Sequence, residues 1–135
     1  MRVQQMIGLE EFDGVFTSLR HSVWRLETRR RCASDEATET YAQFAAGRPV
    51  QWDLDDLWCR ERREQVALGK RFERVRILDE PPTAGQRYLL DNARRNTAAG
   101  EDIRILTRSK ADELRLPAED FWIFDARVVA LGRCA

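Results

Sequence analysis

Arg25, Arg74, Arg76 and Arg104 each alternate with apolar residues in short segments. A guanidinium is a planar fork of donors that meets a phosphate or carboxylate through two bonds at once. If these segments are neighbouring strands in the expected registers, the four groups share one sheet face. Such a face can hold phosphate, nucleic acid or a partner's carboxylates. The plainer alternative pairs them with Glu27, Glu73, Glu101 and Asp102 in exposed cross-strand ion pairs. Zero net charge, from 23 basic and 23 acidic residues, favours the plainer one.

The stretch Glu119-Asp120-Phe121-Trp122-Ile123-Phe124-Asp125 concentrates carboxylates and aromatics. Paired carboxylates can serve a metal or general acid/base work. Here Glu119 and Asp120 read equally well as a polar turn after Pro117. Asp125 interrupts an apolar run, and is expected to accept from Arg127 or from a backbone N–H. The aromatics read as a core strand, with Trp122 the ring most exposed and its indole N–H in need of a partner.

Nucleophilic chemistry has little support. His21 is the single histidine, and no serine lies in a G-x-S-x-G turn. Cys59 lies among Arg60, Arg62 and Arg63, which would lower a thiol pKa, but it lacks a recognisable base. No C-x-x-C accompanies Cys32, Cys59 and Cys134, so no structural zinc site is expected. Gly69-Lys70-Arg71 lacks the pattern of a phosphate loop. Neither a metal nor a cofactor is implied.

The elements that would position these groups can be read from periodicity. A helix is expected over Gly8 to Leu19 from Phe12, Val15, Phe16 and Leu19. Ser22 to Thr28 reads as a strand with Trp24 and Leu26 opposite Arg25 and Glu27, and Arg29 to Arg31 as its solvated exit. Ser34 is the expected N-cap of a helix that Gly47 and Pro49 stop. Asp53 is expected to open the next helix, with Leu54, Leu57, Trp58 and Leu68 as its partial core face. Phe72 to Leu78 is a second strand. Thr83-x-x-Gln86 matches a capping box for a helix through Asn96 that Gly100 ends. Ile103 to Thr107 is a third strand, and Ser109-x-x-Asp112 supports a helical turn closed by Pro117. Phe121 to Leu131 reads as a fourth, central strand covered on both faces.

At 135 residues the chain reads as one α+β domain over residues 1–135, large enough for its own core. The expectation is a mixed sheet of about four to five strands with about three to four helices packed on it. Arginine supplies 21 of the 23 basic residues. Phosphate recognition would explain that bias, but so would a GC-rich coding sequence of actinobacterial type. With no basic excess, direct nucleic-acid binding is disfavoured. The absence of a long apolar run or a signal pattern points to a cytoplasmic, reduced chain away from membranes.

The order of His21 to Glu27, Phe44 to Pro49, Arg74 to Pro81, Asn96 to Ile103 and Asp120 to Asp125 resembles a family of uncharacterised actinobacterial proteins, a domain-of-unknown-function family. The last two pieces are the most specific. The resemblance implies no activity. It implies an accessory role in regulation or signalling, with a helix-turn-helix regulator as partner. Similar proteins continue into a further extended segment and helix, where this chain stops at Gly132 to Ala135. That departure implies an uncovered sheet edge for a protein partner or a second copy, and an adventitious intermolecular disulfide at Cys134. The leading expectation is a non-catalytic interaction or regulatory module. The other is an enzyme or binding protein for a phosphorylated or nucleotide ligand, using Arg25, Arg74, Arg76, Arg104, Trp122 and Asp125.

Overall fold

The structure is a computed structural model that describes Gly14, Phe16 and residues 18–131. Its centre is a mixed sheet of β1 (Ser22–Glu27), β2 (Arg71–Leu78), β3 (Asp102–Thr107), β4 (Phe121–Phe124) and β5 (Val128–Leu131). The strand order is β3-β2-β1-β4-β5. β1, β2 and β3 run parallel, while β4 and β5 are antiparallel to their neighbours. Helices α1 (Ala33–Glu36), α2 (Glu39–Ala45) and α3 (Leu57–Ala67) lie between β1 and β2 in the chain. α4 (Ala84–Ala98) connects β2 to β3, and α5 (Arg108–Glu113) leads towards β4.

Parallel neighbours require such crossovers, and these cover both faces of the sheet. One face buries Leu26 and Ile77 against Ala111 of α5, with Trp24, Val75, Leu106 and Phe121 packed around them. The other buries Val23, Phe72 and Phe124 with Leu19 and Ala130, and Phe16, Val66 and Trp122 pack against them. Because side chains alternate along a strand, this second face also receives Arg25, Glu27, Arg74 and Arg76. They lie beneath α3 and α4, not in solvent.

The Thr83 capping box starts α4 as expected, and Gly100, at φ 95°, follows its end. Only glycine adopts that backbone cheaply, and a Cβ there would press on Val66 at 3.1 Å. Other expectations need correction. Ser34 lies inside α1, whose N-cap position is Cys32, and Thr38 starts a separate α2 by accepting from Tyr41 N. Asp56, not Asp53, caps α3 by accepting from Cys59 N. Asp53 instead closes a turn onto Asp55 N. Leu54, Leu57 and Leu68 are exposed, and the buried residue of α3 is Cys59.

The expected fourth strand is a hairpin. Asp125 and Ala126 turn the chain with φ of 51° and 57°, and β5 returns at the sheet edge, so the segment is not one central strand. The helix expected over Gly8 to Leu19 falls largely outside the described residues, although Gly14, Phe16 and Ser18 are helical. Residues 132–135, and with them the uncovered C-terminal edge and Cys134, also fall outside.

Candidate functional site

The register of β1 with β2 sets Arg25 beside Arg74 and Glu27 beside Arg76. Glu101 arrives from the turn that ends α4, just before β3. Arg74 donates from Nη1 to Glu27 Oε1 at 2.7 Å and from Nε to Glu101 Oε1 at 2.8 Å. Arg76 donates from Nε to Glu27 Oε2 at 3.3 Å, and from Nη1 to the Leu89 carbonyl at 2.6 Å. Its Nη2 reaches Asn96 Oδ1 at 3.2 Å, while Asn96 Nδ2 donates to Glu101 at 2.9 Å. Arg62 of α3 approaches Glu101 at 3.5 Å, and Arg25 approaches Glu27 at 3.6 Å.

Four guanidinium groups, from Arg25, Arg62, Arg74 and Arg76, therefore share two carboxylates, Glu27 and Glu101. The neighbouring Arg29 pairs with both Asp120 and Asp35, and Arg95 with Asp56. Part of the surplus is spread over aromatic faces. Arg25 lies 4.2 Å from the Trp122 ring centroid, and Arg62 lies 4.0 Å from that of Phe72. Burial is costly for every charge in this layer. It alone would raise Glu27, but Arg76, Arg25 and Arg74 together hold that carboxyl well below the usual range. Burial lowers Arg76 and Arg62, and brings Arg25 down to about 10 despite Glu27. Arg74, between two carboxylates, overcomes burial and is raised.

A cavity of about 200 Å³ opens in this layer. Arg25, Arg29, Arg74, Arg76 and Arg95 line it, facing Glu27 and Asp35, with Trp58, Leu89, Asn92 and Asn96 completing the wall. Burial raises the Asp35 carboxyl, which Arg29 opposes. Among the described residues, the buried side-chain polar atoms without a hydrogen-bond partner are Arg25 Nε, Arg29 Nε, Arg62 Nε and Asn92 Oδ1. Three of them belong to residues lining this cavity. Arg62 lines a second one, of about 570 Å³, whose wall also includes Trp58. Native interiors rarely leave such groups unpaired, and strain, a functional role, or a bound ion or water accounts for those that are.

Of the expected site residues, Arg25, Arg74, Arg76 and Trp122 come together. Arg104 does not: Val75 is its register partner, which puts it on the opposite face, exposed and 3.4 Å from Asp102. Asp125 is also elsewhere. It accepts from the backbone N–H groups of Arg20, His21 and Ser22, not from Arg127. The exposed ion pairs expected of Glu27 and Glu101 are buried ones. Arg29, expected in solvent, is partly buried against Asp120 at 2.9 Å.

Arg62, Asn92, Arg95 and Asn96 were not anticipated. Leu89, Asn92 and Asn96 follow helical spacing, so asparagines on the inward face of α4 were the available signal.

Cys59 is fully buried, and burial followed by the Asp56 carboxylate pushes its thiol up, the reverse of an activated nucleophile. Cys32 is disulfide-bonded, against the expectation of reduced thiols, whereas Cys59 is free. Among the described residues, no group of three or more His, Cys, Asp or Glu is placed to hold a metal, and no helix is long and apolar enough to cross a membrane.

A family model described as Domain of unknown function (DUF6879) matches residues 10–135. No curated protein and no solved structure matches the chain.

Proposed function

The chain belongs to this family of unknown function, and we propose that it is a non-catalytic binding module whose arginine cavity takes a small oxyanion of the phosphate type. The observation that carries the reading is the charge count of this layer: among the described residues Arg25, Arg29, Arg62, Arg74, Arg76 and Arg95 face Glu27, Asp35, Asp56, Glu101 and Asp120, which leaves one guanidinium charge over. A tetrahedral anion of the phosphate type supplies the missing charge, and its oxygens suit guanidinium N–H groups of the lining such as Arg25 Nε and Arg29 Nε. A cavity of about 200 Å³ admits such a group. The described lining offers it no nucleophile: it consists of arginines, carboxylates, asparagines, Trp58 and Leu89.

An accessory role in regulation belongs to the same proposal. Anion binding would tighten α3 and α4 against the sheet, and a helix-turn-helix regulator is the partner the sequence resemblance implies.

The direct experiment is thermal unfolding with increasing inorganic phosphate, beside matched chloride. A ligand specific to the folded state adds about 2.7 kcal/mol at a hundred times its Kd. Saturable stabilisation by phosphate, absent in a folded Arg25→Gln variant, is expected. No phosphate effect on the folded wild-type chain beyond that of chloride would overturn the reading.

A further inference from the structure

Trp58 contributes to the walls of both cavities. Arg62 lines the larger one with its guanidinium 5.0 Å from the Trp58 ring and 4.0 Å from that of Phe72. It reaches Glu101, which in turn holds Arg74 of the smaller cavity. The two spaces thus share a wall, made by one indole and one chain of ion pairs. Among the described residues, the four buried side-chain polar atoms without a hydrogen bond belong to residues that line one space or the other, with Arg62 Nε still in ion-pair range of Glu101.

Their chemistry differs. The larger space has aromatic walls in Phe16, Phe72 and Trp58, while Glu61 and Glu64 stand exposed beside them. Its volume of about 570 Å³ lies within the range of about 300–1,000 Å³ usual for small-molecule sites. Aromatic walls favour a flat ring, which stacks on them or on the Arg62 plane. Two rim carboxylates repel a second anion and ask for N–H donors at the ring's edge. Asn92, its Oδ1 unpartnered on the arginine side, accepts from a hydroxyl.

We infer that the two cavities are subsites of one site for a nucleoside monophosphate, with phosphate among Arg25, Arg74 and Arg76 and an amino-bearing base beside Trp58 and Phe72. The inference rests on the anion reading above and adds the body of the ligand to its head. Each group on the page then has a counterpart. The surplus guanidinium charge meets phosphate, Asn92 meets a sugar hydroxyl, the aromatic walls meet the base, and Glu61 or Glu64 meets its exocyclic amine.

The test compares four probes by calorimetry on the full chain: inorganic phosphate, adenosine, AMP and UMP. AMP is expected to bind at least about tenfold more tightly than phosphate or adenosine alone, because joined fragments share one cost of association. UMP, which lacks the exocyclic amine, should bind more weakly than AMP. Glu61→Gln with Glu64→Gln, both on the exposed rim, should narrow the AMP–UMP difference and leave phosphate affinity unchanged. Trp58→Phe should abolish a fluorescence change on AMP binding. If phosphate binds but AMP binds no tighter, the nucleotide inference is overturned while the anion site stands. If neither binds, the anion reading falls and this inference falls with it.

Discussion

Asp120 and Asp125 stand at opposite ends of β4 and hold opposite ends of β1. Asp125 accepts from the N–H groups of Arg20, His21 and Ser22 at 3.1, 2.7 and 3.0 Å, where the chain enters β1. Asp120 accepts from Thr28 N at 2.8 Å and Arg29 N at 3.1 Å, where the chain leaves it. An antiparallel partner runs the other way, so residues flanking β4 meet the far ends of β1. The two carboxylates thus lock the strand that carries Arg25 and Glu27. A carboxylate that accepts several backbone N–H bonds is stabilised in its charged form. The Asp-Phe-Trp-Ile-Phe-Asp segment is accordingly a clamp for the central strand, and its aspartates are occupied by backbone.

Replacing Asp125 by Asn should cost about 1–2 kcal/mol, the difference between charge-assisted and neutral bonds at three donors. Burial opposes ionisation at Asp125, but the N–H groups of Ser22, Arg20 and His21 lower its pKa below the ordinary carboxylate value. A depressed folded value means that the stabilisation is complete above the ordinary value and disappears as pH falls through the folded one. The gap between wild type and Asp125→Asn in urea midpoint should therefore be constant from about pH 5 to 8 and close below about pH 4. A gap that widens in acid would contradict the clamp.

Ala126→Gly is expected to stabilise the chain. Ala126 holds a φ of 57° at the second position of the hairpin turn, where an L-residue pays about 1–2 kcal/mol and glycine pays nothing steric. The larger freedom of glycine in the unfolded chain returns about 0.5–1 kcal/mol of that. A net gain of about 0.5–1 kcal/mol should appear as a higher denaturant midpoint with unchanged slope.

The turn carries only a weak sequence signal. Two residues at positive φ ordinarily announce themselves as Asn-Gly or Asp-Gly, and Asp125-Ala126 carries only half of that signal. The segment therefore reads in sequence as one long strand. The alternation within β1 and β2 was legible, because period two separates Leu26, Val75 and Ile77 from Arg25, Arg74 and Arg76 whatever covers them. Which face was buried was not legible. Charged residues normally mark the solvent side, and here α3 and α4 cover them. The α3 segment differs for the same reason: Leu57 and the flanking Leu54 and Leu68 face water, and the side turned inward carries Cys59 and Arg62, whose guanidinium lies over Phe72. Arg104 resembles the others in sequence because strand alternation gives two faces, and only the register of β2 with β3 tells which one is shared.

Arg104→Ala should be nearly silent. Its side chain is 76 % exposed and its one ion pair, to Asp102, is exposed as well. Pairs of this kind contribute about 0–1 kcal/mol. Stability should stay within about 0.5 kcal/mol of wild type and phosphate affinity should not move. A clear loss of phosphate binding would place the anion on the other face of the sheet.

Gly85→Ala should destabilise, although alanine is the better helix former by about 1 kcal/mol. A Cβ at this first-turn position of α4 would stand 2.8 Å from the Arg30 carbonyl oxygen and 3.1 Å from Arg31 Cα, both backbone. Thr83 Oγ1 already binds that same carbonyl at 2.6 Å, so the two segments cannot part without losing the bond. Overpacking of this kind costs about 1–3 kcal/mol. A chemical-denaturation midpoint at or above that of wild type would show that α4 can shift freely.

Glu27→Gln separates the scaffold role of the buried layer from its binding role. Glu27 is 2 % exposed and accepts from Arg74 and Arg76 while facing Arg25. Removing one partner of a buried ion pair costs about 3–5 kcal/mol, since the charges left behind stay desolvated. The substitution keeps the volume and removes only the charge, so the loss read from a denaturant midpoint is electrostatic. Its pH dependence has a definite sign. The three arginines hold Glu27 below the ordinary range, so its stabilisation is present above about pH 4.5 and declines as pH falls from there. Wild type should lose stability in acid more steeply than the variant. Phosphate provides the second readout. With one carboxylate gone, the surplus guanidinium charge is larger, and a saturating oxyanion should recover more stability in Glu27→Gln than it adds to wild type. Equal phosphate effects on the two proteins would mean that the anion does not enter this layer.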